Sequence, residues 1–170
     1  YDTRNKSREF AYLSADIFSS FGVKSYIFDS PMPTPVLSFA VRRLRADAGV
    51  VITASHNPKE YNGYKVYNEK GCQITDTAAA AITEKIEKYG YFETCIPRRE
   101  IIYHIGEEIL DAFLDEIEKY RYARDKKELF PSIVYTPLHG TGYTPVKKLF
   151  ERMGVSDYAV VSEQAEENGD

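Results

Sequence analysis

Ser55, His56 and Asn57 directly follow a short β-branched run, Val50-Val51-Ile52, and Lys65 returns toward them through Asn62-Gly63. An apolar run of this kind reads as a buried strand. In an α/β sheet, the place where a buried strand releases the chain is where ligands bind and chemistry is done. Ser55 is then a hydroxyl on a rigid support, with an imidazole, an amide and an ammonium group nearby. These groups suit phosphoryl or acyl transfer. A serine hydroxyl is a weak nucleophile that needs a base or prior activation. His56 can orient a phosphate or move a proton near neutral pH. Lys65 can neutralise a transferring group or help to remove a proton from an acceptor hydroxyl. Ser55-His-Asn-Pro58 is also good turn chemistry, because Ser and Asn bond their own backbone and Pro ends a strand. A serine hydrolase fits less well. The Gly-x-Ser-x-Gly elbow is absent, and adjacent Ser and His side chains on one turn seldom point at each other.

The elements that must carry these groups alternate along the chain. Ser7 can cap a helix whose apolar residues Phe10, Leu13, Ile17, Phe18 and Phe21 share one face, and Gly22 stops it. Val23 to Phe28 reads as a strand. Thr34-Pro35 opens a second helix as cap and first helical residue. Its basic last turn (Arg42, Arg43, Arg45) suits the helix dipole, and a solvated end fits it better than a phosphate patch. Past the Ser55 loop, Tyr64 to Tyr67 predicts a strand, Asn68 to Gly71 a turn, and Cys72 to Ile74 a returning strand. A helix capped by Thr75 or Asp76 runs to about Tyr89. Residues 90–105 read as an irregular link, and 107 to about 122 as an amphipathic helix. Ile133 to Tyr135 and Tyr158 to Val161 are strands, with a helix from Thr144-Pro145 between them. The glycine-rich turn around His139 can bind an anion or simply turn tightly, and the tight turn is expected. This alternation predicts a layered α/β fold.

With 170 residues, 43% hydrophobic and 28% charged, the chain can bury a real core. Its net charge of -4 and scattered basic residues argue against a nucleic-acid surface. No apolar run approaches the ~20 residues of a membrane span, and no leader pattern is expected. Cys72 and Cys95 lack metal-ligand spacing and are expected as reduced thiols in a cytoplasmic protein.

Longer strings narrow the function. Thr53-Ala-Ser-His-Asn-Pro58 with Asn62-Gly-Tyr-Lys65 resembles the phosphoserine loop of the α-D-phosphohexomutases, the phosphoglucomutase and phosphomannomutase superfamily. Tyr1-Asp-Thr-Arg4 with Ser7, Pro33-Thr-Pro35 and Thr136-Pro-Leu-His-Gly-Thr-Gly142 resemble other motifs of that family, in the same order. The 59–67 wording is most similar to the phosphoglucomutase branch. The resemblance implies a three-layer α/β/α domain with a mixed sheet over 1–103, lacking its first strand. The start of a second, similar domain would follow over 104–170. It implies a chain that is the amino-terminal part of a longer enzyme.

That enzyme would interconvert glucose 1-phosphate and glucose 6-phosphate through a 1,6-bisphosphate, with mannose or pentose phosphates as alternatives. Ser55 would be carried as a phosphoserine, with Arg4, His56 and Lys65 as catalytic partners. Tyr1 and Asn57 would make weaker contacts with the substrate. The family's Mg2+ is held by the phosphoserine and the aspartates of an Asp-Gly-Asp-x-Asp-Arg type loop. That loop does not occur in this sequence, so Ser55 is the only metal ligand expected here, and the other ligands are expected beyond Asp170. In isolation the chain would be an inactive α/β module, with unfinished sheet edges that invite self-association.

Overall fold

The computed structural model describes residues 1–90, 94–120 and 132–169. The elements run α1 (Ser7–Ser20), β1 (Ser25–Phe28), α2 (Thr34–Leu44), β2 (Ala48–Ile52), β3 (Tyr64–Asn68), α3 (Asp76–Ile86), β4 (Ile102–Ile105), α4 (Glu107–Lys119), β5 (Ile133–Tyr135), α5 (Tyr143–Met153) and β6 (Tyr158–Val160). Single 3₁₀ turns lie at Arg99–Ile101 and Ser162–Gln164. The mixed α/β architecture follows the sequence alternation. Its strands form two parallel ladders, β1 with β4 and β5 with β6, and one antiparallel ladder, β2 with β3.

α1 departs from the sequence expectation in two ways. Lys6, not Ser7, holds the cap position, in the left-handed region at φ 66°. Ser7 is wholly buried; its Oγ donates to Ile52 O at 2.6 Å and accepts from Asp2 N at 3.1 Å. The face α1 buries is also the small one, Ser7, Ala15 and Ser19. Phe10, Leu13, Ile17 and Phe21 remain between 40% and 60% exposed. Small side chains let the helix backbone lie close on β1 and β2. The apolar spacing identified a stripe, but not which stripe meets the strands.

The main core joins α2 to α4. Val36 and Ala40 of α2 pack with Phe28, Met32 and Ile105, and with Ile109, Leu110 and Leu114 of α4. Each large side chain so buried contributes about 1.5–3 kcal/mol. Residues 90–105 are therefore not wholly irregular: Ile102–Ile105 forms β4, registered from Ser25↔Ile102 to Phe28↔Ile105. Conversely, Cys72–Ile74 is reduced from a strand to a single bridge, Tyr67↔Gln73. α2 begins at Thr34 with Pro33 before it, and Thr75 caps α3 by accepting from Ala78 N. The expected end of α4 near residue 122 lies outside the described residues, as does Asp170.

α4 and α5 are clasped by charge. Arg152 meets Asp111, Asp115 and Glu118, and Lys148 meets Glu107 and Asp111. Hydrogen bonds from Lys148, then from Arg152, hold the Asp111 carboxyl below its usual range. Cys72 and Cys95 are free thiols.

Candidate active site

Ser55 stands where β2 ends, three residues past Ile52. Its backbone is in the left-handed region at φ 55°, a conformation that costs a non-glycine residue about 1–2 kcal/mol. Several interactions keep it there. Ser55 N donates to Thr53 Oγ1 at 3.2 Å, and Asn57 N donates to Ala54 O at 3.0 Å. At the base of the loop, Thr53 N donates to Gly63 O at 2.9 Å, extending the β2–β3 pairing. Gly63 cannot carry a side chain here, because a Cβ would lie 2.5 Å from Thr53 O.

Arg4 straps the loop shut. One guanidinium nitrogen donates to Pro58 O (2.8 Å) and Tyr61 O (3.2 Å). The other donates to Ser55 O (2.8 Å) and Asn57 O (2.7 Å). Nε lies 3.4 Å from Asp2 Oδ2. The side chain is only 13% exposed, although the carbonyls it meets face solvent. With its donors so engaged, Arg4 acts in this structure on the backbone that shapes the loop, rather than presenting a free fork to an anion.

Lys65, on β3 opposite Val51, donates from Nζ to Ser55 Oγ at 2.5 Å. This is a charge-assisted bond, and it points an ammonium at the atom that would react. His56 is exposed and makes no hydrogen bond among the described residues. Tyr1 is directed elsewhere: it is buried, and its hydroxyl donates to Asp29 O at 2.8 Å. Burial, and after it the neighbouring Tyr12, pushes that phenol up to about 12.

A cavity of about 390 Å³ opens beside Ser55. Thr3, Arg4 and Asn57 line it from one side, and Leu138, Gly140 and Thr141 from the other. The turn around His139 is the tight one expected from the sequence: the imidazole does not line the cavity, its Nδ1 lies 2.9 Å from Glu166 O, and its backbone N donates to Gln164 O. Leu138 and His139 both hold positive φ, 53° and 58°, which makes the turn tight. Its neighbours on the cavity, Leu138, Gly140 and Thr141, were missed, as were Ser7, Thr53 and Gly63. The Gly-Thr-Gly string after a strand was the one available signal. The tail closes the far side, where a Cβ on Gly169 would lie 2.6 Å from Asn5 N. Arg42 and Arg45 line a different cavity, and neither they nor Arg43 line this one.

A divalent cation does not fit the donors that the described residues bring to this site. Ser55 brings one oxygen, already beside an ammonium, and Asp2 is paired with Arg4. No group of three His, Cys, Asp or Glu that could hold a metal exists among the described residues. A hard cation such as Mg2+ needs several oxygens. The expectation that those further ligands follow Asp170 concerns sequence outside the described residues.

The sequence model of "Phosphoglucomutase/phosphomannomutase, alpha/beta/alpha domain I" matches residues 1–92. A phosphoglucomutase of Staphylococcus epidermidis is 37% identical over the whole of this chain, which covers 32% of the relative. A phosphopentomutase of Pongo abelii is 34% identical over 93% of this chain and 27% of its own length. The crystal structure of a "putative phosphomannomutase" from Thermus thermophilus superposes with a TM-score of 0.80 at 24% identity, covering 99% of this chain and 37% of that one. At that identity the likeness speaks for the fold. The chain spans about a third of the length of the curated relatives it matches.

Proposed function

This chain belongs to the phosphoglucomutase/phosphomannomutase family, and we propose that it supplies the phosphoserine half of a sugar-phosphate mutase site, with Ser55 as the residue that carries the phosphoryl group. The observation that carries this is the 2.5 Å bond from Lys65 Nζ to Ser55 Oγ, on a loop fixed by Arg4. A phosphoryl group on Oγ would meet a cation at once, and phosphoryl transfer depends chiefly on positioning and on neutralising oxygen charge.

In the proposed reaction the bond from phosphorus to Oγ breaks as a sugar hydroxyl forms a new bond to phosphorus. The Lys65 ammonium protonates the departing Oγ, and the proton of the attacking hydroxyl restores it. The bisphosphate then returns its other phosphoryl group to Ser55 by the reverse path. Glucose phosphates are the proposed substrates, from the 59–67 wording and the Staphylococcus relative's name. Mannose and pentose phosphates stay within the same chemistry. Asn57 lines the cavity, and His56, at the loop surface, is proposed to orient the phosphate. Tyr1 acts from a distance, by anchoring Asp29 O. Mg2+ and the remaining sugar contacts would come from outside these residues.

The division at 103/104 is part of the proposal. The family match over residues 1–92 lies within its first segment, β4 (Ile102–Ile105) spans the division, and α4 packs on the first segment. No helix among the described residues is long and apolar enough to cross a membrane.

The test uses the longer protein that contains this chain, assayed with glucose 1-phosphate, bisphosphate activator and magnesium. Ser55→Ala should abolish turnover, and Lys65→Met should lower kcat at least a hundredfold with the fold intact. Turnover like the wild type in either variant would refute the assignment.

A further inference from the structure

His139 does not line the cavity beside Ser55, yet three of its bonds run to one stretch of chain. Its backbone N donates to Gln164 O at 3.0 Å, and its O accepts from Asn168 N at 3.3 Å. Its Nδ1 lies 2.9 Å from Glu166 O. A carbonyl only accepts, so this ring nitrogen carries the proton and donates. His139 therefore laces segment 164–168 along the turn that follows β5. To do so it holds a left-handed backbone at φ 58°, beside Leu138 at 53°. A non-glycine residue keeps that conformation only where its surroundings hold it there.

Just past this lacing, Gly169 sits on the backbone of residues 3–5. A Cβ there would lie 2.6 Å from Asn5 N, 2.8 Å from Thr3 O and 3.0 Å from Arg4 C. All three are main-chain atoms, which cannot swing aside as the end of a long side chain can, so the seat has room for glycine alone. The same stretch also serves the Ser55 loop. The Arg4 guanidinium donates to Ser55 O and Asn57 O, and Asn5 O accepts from Asn62 Nδ2 at 2.8 Å. Residues 3–5 thus link Gly169 to the loop. Arg4, Ser55 and Asn57 share one cavity with Asn168 and Gly169.

We propose that His139 is a positioning residue for Ser55: it pins segment 164–169 so that Gly169 holds residues 3–5, and with them the Arg4 strap, in the place that sets the loop. Its effect on turnover rests on the reading of Ser55 as the phosphoryl carrier, whereas its hold on the loop does not. Contiguity alone is not coupling. What makes this path stiff is that each link is a hydrogen bond to the main chain or a contact with no room to give. Asn is the natural substitute for His139. Its Nδ2 stands the same number of bonds from Cα as the imidazole Nδ1 and donates, and Asn tolerates the left-handed region.

The test uses the longer protein that contains this chain, read by amide exchange and by steady-state kinetics with glucose 1-phosphate. His139→Gly relieves the backbone but deletes the imidazole bond. Gly169→Ala leaves His139 alone and fills the seat. In both, residues 54–61 should exchange at least about threefold faster, within what one hydrogen bond is worth, while α2 and α4 keep wild-type exchange. kcat should fall at least about threefold with KM within about twofold, because the loop is displaced but no substrate contact is removed. The double variant should exchange no faster than the worse single one, since both break the same link. His139→Asn should recover exchange and kcat together. Unchanged loop exchange in both single variants, acceleration spread over the whole fold, additive effects in the double variant, or no recovery with Asn would each overturn the proposal. Faster loop exchange with kcat unchanged would overturn it as well. Turnover retained by Ser55→Ala sinks the reading of Ser55 instead, and the exchange results then decide the pin by themselves.

Discussion

Arg4→Ala should loosen the Ser55 loop far more than it loosens the protein. The guanidinium makes four hydrogen bonds to loop carbonyls, at 2.7–3.2 Å. Each is worth about 0.5–1.5 kcal/mol net, and the carbonyls face solvent and can take water instead. The loss should therefore fall near the lower half of the sum, about 2–4 kcal/mol. Because the strap closes on one short segment, that energy appears as local opening of residues 54–61. About 1.4 kcal/mol is a factor of ten, so the amides of Ser55, Asn57 and Tyr61 should exchange on the order of 30- to 1000-fold faster. These are the amides bonded within the loop, to Thr53 Oγ1, Ala54 O and Pro58 O. Amides of α2 and α4 should change little. Arg4→Lys should recover only a small part, since an ammonium lacks the planar fork that meets several carbonyls at once. Native-state amide exchange on the three proteins reads this directly. Unchanged loop exchange in Arg4→Ala would refute the strap, and so would a uniform acceleration across the fold.

Leu110→Ala, at a side chain 2% exposed in the α2–α4 core, should cost about 2–5 kcal/mol, seen as a melting shift of about 2–4 °C per kcal/mol; no shift would mean that α4 does not pack as described. The Tyr1 phenol is raised from 10.0 to about 12, so its neutral form is favoured by folding. The stability it contributes is present below pH 10 and is lost as the pH rises to about 12. Alkaline unfolding followed by tyrosinate absorbance should therefore flatten in that window for Tyr1→Phe. Arg152→Ala should lower the melting temperature in low salt and less so in high salt, because its pairs with Asp111, Asp115 and Glu118 lie near the surface.

Local signals in the sequence located most of the elements. Val50-Val51-Ile52 read as a buried strand, and Val51 and Ile52 are each 2% exposed. The fused turn and cap chemistry placed the Asn68–Gly71 turn and the Thr75 cap. What failed was non-local. β4 exists because Ile102–Ile105 finds β1, a parallel partner far back in the chain, and no short-range pattern announces that. The buried face of α1 was misassigned because Ala and Ser at the right spacing permit closer packing than the Phe and Leu stripe beside them. At the site, Ser55 and Lys65 could be named from their loop and strand positions. That Arg4 would spend its donors on loop carbonyls, and that Leu138, Gly140 and Thr141 would face the serine, depends on tertiary placement alone.

The central claim, that Ser55 carries the phosphoryl group, is tested most directly by localising phosphate in the longer protein by peptide mass spectrometry after incubation with glucose 1,6-bisphosphate. The account predicts phosphate on Ser55, removed when glucose 6-phosphate is added in excess, and absent from Ser55→Ala. A protein that turns over sugar phosphate with Ser55 unmodified throughout, or with its phosphate on another residue, would contradict it.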